Sequence, residues 1–149
     1  MPSRGIGLVC ALALPLIALG GCAIQPGSGL SASQARVQFY SLLDKTQAAV
    51  GGTWDVHDDP TARGCVIPLW VEGVKFPGLR IGPAPRDPVA AANEVYAAWT
   101  ARGLKVDRTR VGQVIQLQAR TDENGLLTFR ASDLALTLSG ESECRPKVA

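Results

Sequence analysis

The side chains of this sequence that could do chemistry are few, and most sit together. Asp55-Val56-His57-Asp58-Asp59 gathers carboxylates around the single histidine. In an extended stretch Asp55 and His57 share a side, and oxygen and imidazole ligands at this density could hold a divalent cation. Zinc ordinarily takes more His or Cys than this, and calcium a fuller spacing of oxygens. The plainer reading is a solvated turn whose Asp side chains cap backbone amides, with Asp59-Pro60 bending the chain. We take the turn reading and expect neither a metal nor another cofactor. A serine nucleophile would have only His57 as a histidine base; Gly-x-Ser-x-Gly is absent, and Ser139-Gly140-Glu141-Ser142 has no helix behind it. The glycines at 73 to 82 are interleaved with proline rather than forming a phosphate loop. Asp55, Asp58, Glu72 and Glu94 supply carboxylates, but their spacing does not argue for glycoside cleavage. No catalytic residue is assigned, and the chain is read as non-enzymatic.

The cysteines carry a different chemistry. An apolar run from Ile6 to Leu19, broken only by Gly7 and Pro15 and preceded by Arg4, has the layout of a secretory signal peptide. It ends in Leu19-Gly20-Gly21-Cys22, which is similar to a bacterial lipobox. That likeness implies cleavage before Cys22 and a diacylglycerol on its thiol; the alternative is an ordinary signal peptide with a chance cysteine after the cut. The run is too short for a permanent membrane span, which needs about 20 residues. Attachment would therefore be through lipid, and two or three acyl chains make such an anchor effectively permanent. The expected layout is a removed signal peptide at 1–21, the lipidated cysteine with a Gly/Ser/Pro tether at 22–30, and one domain at 31–149. The expected address is the extracytoplasmic face of the cell membrane.

Of the four cysteines, Cys10 leaves with the signal peptide and Cys22 is consumed by lipid. Cys65 and Cys144 remain, an even pair in an oxidising compartment, and a disulfide between them is expected. Two buried thiols, or half of a metal site, are the alternatives. The formal charge of +2 over 149 residues gives no reason to expect nucleic acid as a partner.

The elements that must position these residues follow from periodicity. Ser31 and Gln34 have capping-box spacing, and Ala35, Phe39, Leu42, Leu43, Ala49 and Val50 recur on one helical face that Gly51-Gly52 ends. Thr53–Gly64 reads as a polar connector, and Cys65–Val71 as one strand, with Pro68 demanding an edge or a bulge. Glu72–Arg86 reads as a long loop with a short extended piece through Leu79 and Ile81. Asp87-Pro88 starts a second helix, with Val89, Ala92, Val95, Tyr96 and Trp99 on its buried side and Gly103 beyond its end. From Leu104 the period becomes two. Ile115 and Leu117 point in with Gln116 and Gln118 out, Asn124-Gly125 signals a hairpin, and Leu127, Phe129, Ala131, then Leu134, Leu136 and Leu138 alternate again. The expected fold class is α+β: a two-layer domain with two helices on one face of a mostly antiparallel sheet of about four to five strands.

Two further sets could bind something. Trp54, Trp70 and Trp99 could line a pocket for an apolar ligand between helices and sheet, or simply fill the core. Phe76, Leu79 and Arg80, with Ile81, Lys75 and Arg86, mix apolar and basic groups in the proline-rich segment and would suit a protein or lipid partner. As a connector, the same segment would tuck its apolar residues under the domain. Arg108, Arg110, Arg120 and Arg130 lie on or near the meander, as a patch or as scattered charge.

Four features in order invite a comparison: the lipobox at Cys22, Trp54 to the Gly64-Cys65 pair, the Asp87-Pro88 helix start, and the ending Leu-Ser-Gly-Glu-Ser-Glu-Cys-Arg-Pro at 138–146. Together they resemble small mycobacterial-type LppA-like lipoproteins. The resemblance implies a lipid-anchored protein on the outer face of the cytoplasmic membrane and brings no catalytic residue with it. The leading reading is thus a lipid-anchored envelope lipoprotein with a non-catalytic domain that binds an envelope protein or lipid. A carrier of a small apolar ligand or lipid is the alternative, and a metal-dependent hydrolase centred on His57 comes last.

Overall fold

The computed structural model describes residues 29–121 and 125–147. The signal peptide, Cys22 and the tether up to residue 28 lie outside the described residues, as does Asp122–Asn124 of the expected hairpin turn.

The first helix, α1 (Ala32–Val50), begins with the capping box: the Ser31 side chain accepts from the Gln34 amide, and the Gln34 side chain accepts from the Ser31 amide. It stops at Gly51, whose φ of 76° suits the left-handed region. Its buried face is Ala35, Phe39, Leu43 and Thr46; Leu42 is half-buried and Ala49 is exposed. A two-residue strand, β1 (Asp55–Val56), follows inside the stretch read as a connector.

The segment read as one strand, Cys65–Val71, is instead a hairpin. β2 (Arg63–Ile67) and β3 (Val71–Lys75) pair antiparallel, with Ile67 opposite Val71 and the turn at residues 68–70. The segment read as a loop holds the rest of β3 and then β4 (Pro77–Gly82). The second helix, α2 (Pro88–Thr100), starts as expected, with the Asp87 carboxylate accepting from the Val89 and Ala90 amides. Its buried residues are Ala91, Ala92, Val95 and Trp99, while Val89 and Tyr96 are exposed. The meander is β5 (Lys105–Val111), β6 (Val114–Arg120), β7 (Leu126–Ala131) and β8 (Leu136–Glu141), and a short β9 (Arg145–Pro146) closes the chain.

Among the described residues the fold is α+β, with two helices and antiparallel strand pairing, but it holds more strand than expected. One sheet has six strands in the order β1-β4-β8-β7-β6-β5, and a second has three in the order β2-β3-β9. The two are joined by a long ribbon. Pro77 pairs with Glu141, the Ser142 amide donates to the Phe76 carbonyl, and Val74 pairs with Arg145. The pairing slips by one residue between these points, so the segment 142–144 between β8 and β9 carries one extra residue, a bulge that bends the ribbon out of the large sheet.

The helices cover one face of the large sheet. Trp99 is fully buried among Leu43, Val95, Leu117, Phe129, Leu136 and Leu138, and its Nε1 donates to Thr46 Oγ1 at 2.9 Å. Thr46 in turn donates to the Leu42 carbonyl, so this buried polar pair is satisfied. The covered face of β4 carries Gly78, Arg80 and Gly82, with Leu79 and Ile81 on the open face. A Cβ on Gly78 would lie 2.6 Å from Leu43 Cδ1. The bare backbone there lets α1 lie close against the strand.

Candidate functional site

Asp55, His57, Asp58 and Asp59 do not converge. Asp55 and Val56 pair with Ile81 and Arg80 at the edge of the large sheet, and the His57 amide donates to the Leu79 carbonyl. Asp55 and His57 are exposed. Asp58 turns inward onto Arg80, which donates to it from Nη2 at 2.6 Å and from Nε. Asp59 accepts from the Thr61 amide at 2.9 Å and pairs with Arg63 at 3.3 Å. The bond from Thr61, its amide foremost, holds the Asp59 carboxyl below the usual carboxylate range. Among the described residues no group of three or more His, Cys, Asp or Glu side chains is placed to hold a metal ion.

Phe76, Leu79 and Arg80 also part company. Phe76 is buried, with the Arg36 guanidinium 5.1 Å from its ring centre. Leu79 is half-open on the uncovered face. Arg80 is only 3 % exposed and lies beneath α1, bound to Asp58, to Asp44 at 2.6 Å and to Gln47. Burial works against its charged form, but the bonds to Asp58 and Asp44 outweigh it, so the Arg80 pKa stands above its ordinary value. Its role is to close the gap between α1, β4 and the 57–59 segment.

Tyr40 belongs to the same junction. Its hydroxyl donates to the Asp59 carbonyl at 2.9 Å and reaches the Pro77 carbonyl at 3.2 Å. Burial, then the Asp58 charge, raises its pKa above 10.0. The folded state therefore holds this proton more tightly than the unfolded chain. Its contribution to stability is complete below pH 10 and is lost as pH rises through the folded pKa. Tyr40→Phe is expected to cost roughly 1 kcal/mol at neutral pH and to flatten the alkaline fall in stability, both read by urea titration across pH.

The tryptophans line no common space. Trp99 is core, and Trp54 is half-buried against Gly82 with its Nε1 donating to the Gly51 carbonyl. Trp70 is 90 % exposed. A small cleft of about 160 Å³ lies between α1 and the ends of β6 to β8, with Phe39, Leu42 and Leu127 as its apolar wall and Glu141 and Glu143 on its rim. A larger but more open groove of about 520 Å³ lies along β2 and β3, lined by Gly64, Cys65, Val66, Gly73 and Val74, so by volume alone it falls in the ~300–1,000 Å³ range of small-ligand sites. The arginines of the meander divide between the faces: Arg108 donates to Asn93 of α2 on the helix side, and Arg130 donates to Gln116 on the open side.

The surface feature that stands out is the tip of the β2–β3 hairpin, for which Pro68 was the one local signal. Leu69 and Trp70 are 85 % and 90 % exposed, flanked by exposed Val66 and Val71. Both tip residues hold left-handed backbone, φ 71° at Leu69 and 62° at Trp70, which costs bulky side chains on the order of 1 kcal/mol each. Below the tip, Cys65 is joined to Cys144 with a Cα separation of 6.1 Å, which ties β2 to the strand beyond β3. A strained, uncovered apolar turn on a cross-linked stalk is suited to presenting side chains to another body rather than to enclosing a substrate.

No protein-family model matches the chain, and no curated protein matches it. Among solved structures, a DUF4853 family protein from Actinomyces odontolyticus is similar at 17% identity and a TM-score of 0.56, over 79% of this chain and 67% of that one. At that identity the likeness is one of fold: the arrangement of helices and strands found here recurs in the DUF4853 protein.

Proposed function

We propose that the chain is a lipid-anchored envelope lipoprotein whose non-catalytic extracytoplasmic domain binds a partner through the β2–β3 hairpin. The exposure of Leu69 and Trp70 on a stalk tied by Cys65–Cys144 carries this reading. Burying a large apolar side chain is worth about 1.5–3 kcal/mol, and aromatic residues dominate binding hot spots. A disulfide fits an exported domain, and the Leu19-Gly20-Gly21-Cys22 sequence supplies the address. No helix among the described residues is long and apolar enough to cross a membrane; the attachment in this reading is lipid on Cys22. Asp58 and Asp59 are engaged with Arg80, Thr61 and Arg63, which favours a structural role for the acidic segment over a hydrolytic one.

The test is fractionation of cells expressing the wild-type chain or Cys22→Ser. The wild type is expected in the membrane fraction with an acylated N-terminal peptide, and the variant in the soluble fraction or unprocessed with its signal peptide intact. A wild-type chain that is soluble and unacylated would remove the anchor from the account.

A further inference from the structure

The register shows where the hairpin tip points. β4 runs alongside α1 in the same direction: Gly78 meets Phe39 and Leu43, Arg80 meets Asp44 and Gln47, and Gly82 meets Trp54, which bonds to Gly51. One residue before β4, Phe76 lies under Arg36. β3 therefore leads back toward the N-terminal end of α1, and α1 touches both β3 and β9. From Phe76 to the turn, β3 covers about 17 Å, whereas the helix from Arg36 to Ser31 covers only about 7 Å. The tip thus lies toward the side of the domain where α1 begins and the chain leads back to Cys22.

We infer that the tip inserts into the interfacial layer of the bilayer that carries the Cys22 anchor, an inference that rests on the lipid-anchor reading above. A segment with the composition of Ala23–Leu30 averages roughly 15 Å end to end. The tethered end of the domain is then held within reach of the surface, and the tip meets lipid at high effective concentration. The chemistry matches. Val66-Ile67-Pro68-Leu69-Trp70-Val71 carries no charge, tryptophan favours the membrane–water interface, and a fluid apolar phase accepts this turn without a shaped pocket. Exposed Glu72, directly after Val71, limits the depth: the turn enters and the stalk stays in water.

The other tryptophans provide the control, because Trp99 is buried in the core and Trp54 sits at the far end of α1. The full acylated chain is reconstituted in vesicles of phosphatidylethanolamine and phosphatidylglycerol, with and without dibrominated acyl chains. Brominated lipid is expected to quench part of the tryptophan emission, and Trp70→Ser, which removes an exposed side chain, is expected to abolish that quenching while the chain stays vesicle-bound. Leu69→Ser is expected to weaken the quenching of Trp70. An acylated, vesicle-bound wild type with no quenching overturns the insertion and leaves the anchor standing. Shielding of Trp70 that needs added envelope protein also overturns it, assigning the tip to a protein partner. A chain without acyl groups that fails to float with the vesicles overturns both readings.

Discussion

Arg80→Ala is expected to destabilise the domain by about 3–5 kcal/mol, the cost of breaking a buried ion pair from one side. The guanidinium is 3 % exposed, and its main partner Asp58 keeps only 13 % of its side chain in solvent. Removing Arg80 leaves the Asp58 carboxylate facing the underside of α1 without a counter-charge, and Gln47 loses its donor. Asp44 is 68 % exposed and returns to water at little cost. Asp58→Ala is therefore expected to be the more damaging of the two acidic substitutions. In a double-mutant cycle, Arg80 and Asp58 should couple by roughly 0.5–3 kcal/mol, and Arg80 and Asp44 by less than 1 kcal/mol. Guanidinium titrations of the four proteins in each cycle read these values. Equal coupling to both acids would mean that exposure does not set the strength of this cluster.

Loss of the Cys65–Cys144 bond is the second large effect. The sequence separation is 79, and for a loop of that size the chain-entropy model gives about 4 kcal/mol. A domain of this length loses several degrees of Tm per kcal/mol, so the Cys65→Ser, Cys144→Ser double variant is expected to melt ~15 °C lower. The loss should be global, because the closed loop contains α2 and the meander as well as the hairpin. It should also loosen the stalk, since β2 is an edge strand whose ladder is with β3 alone and which this bond ties to the far side of that sheet. Trp70 emission anisotropy should fall in the double variant even at temperatures where the core, reported by Trp99, stays packed.

Much of this fold was legible in the sequence where local chemistry and burial agree. The Ser31–Gln34 box and the Asp87-Pro88 start form where their residues predict, and the alternation through Ile115, Leu117, Leu127, Phe129, Leu136 and Leu138 buries those side chains, whereas Ala49, Val89, Tyr96 and Leu134, selected by the same periods, stay exposed. The hairpin was not legible, for a physical reason. Val66 to Val71 is an unbroken apolar run, and its turn places Leu69 and Trp70 where Gly or Asn would ordinarily mark a reversal. β4 misled in another way. In Gly78-Leu79-Arg80-Ile81-Gly82 the apolar residues are the natural inward set, yet they face out, because close approach of α1 requires glycine and the acidic groups of α1 and residue 58 recruit the arginine. A charged residue between two glycines was the available signal, and only partners distant in sequence give it meaning. Thr46, paired with Trp99, was missed for the same reason. In the acidic cluster read as a turn, Asp59 does accept from a backbone amide, that of Thr61, though Asp55 joins the sheet and Asp58 belongs to the buried junction.

Intact mass spectrometry of the unreduced chain, extracted from its own membrane, reads the lipidated cysteine and the staple together. The expected polypeptide begins at Cys22, carries acyl mass on that residue, and takes up no alkylating agent at Cys65 or Cys144 until it is reduced. An unprocessed chain without acyl mass whose cysteines all alkylate without reduction would contradict both the anchor and the staple.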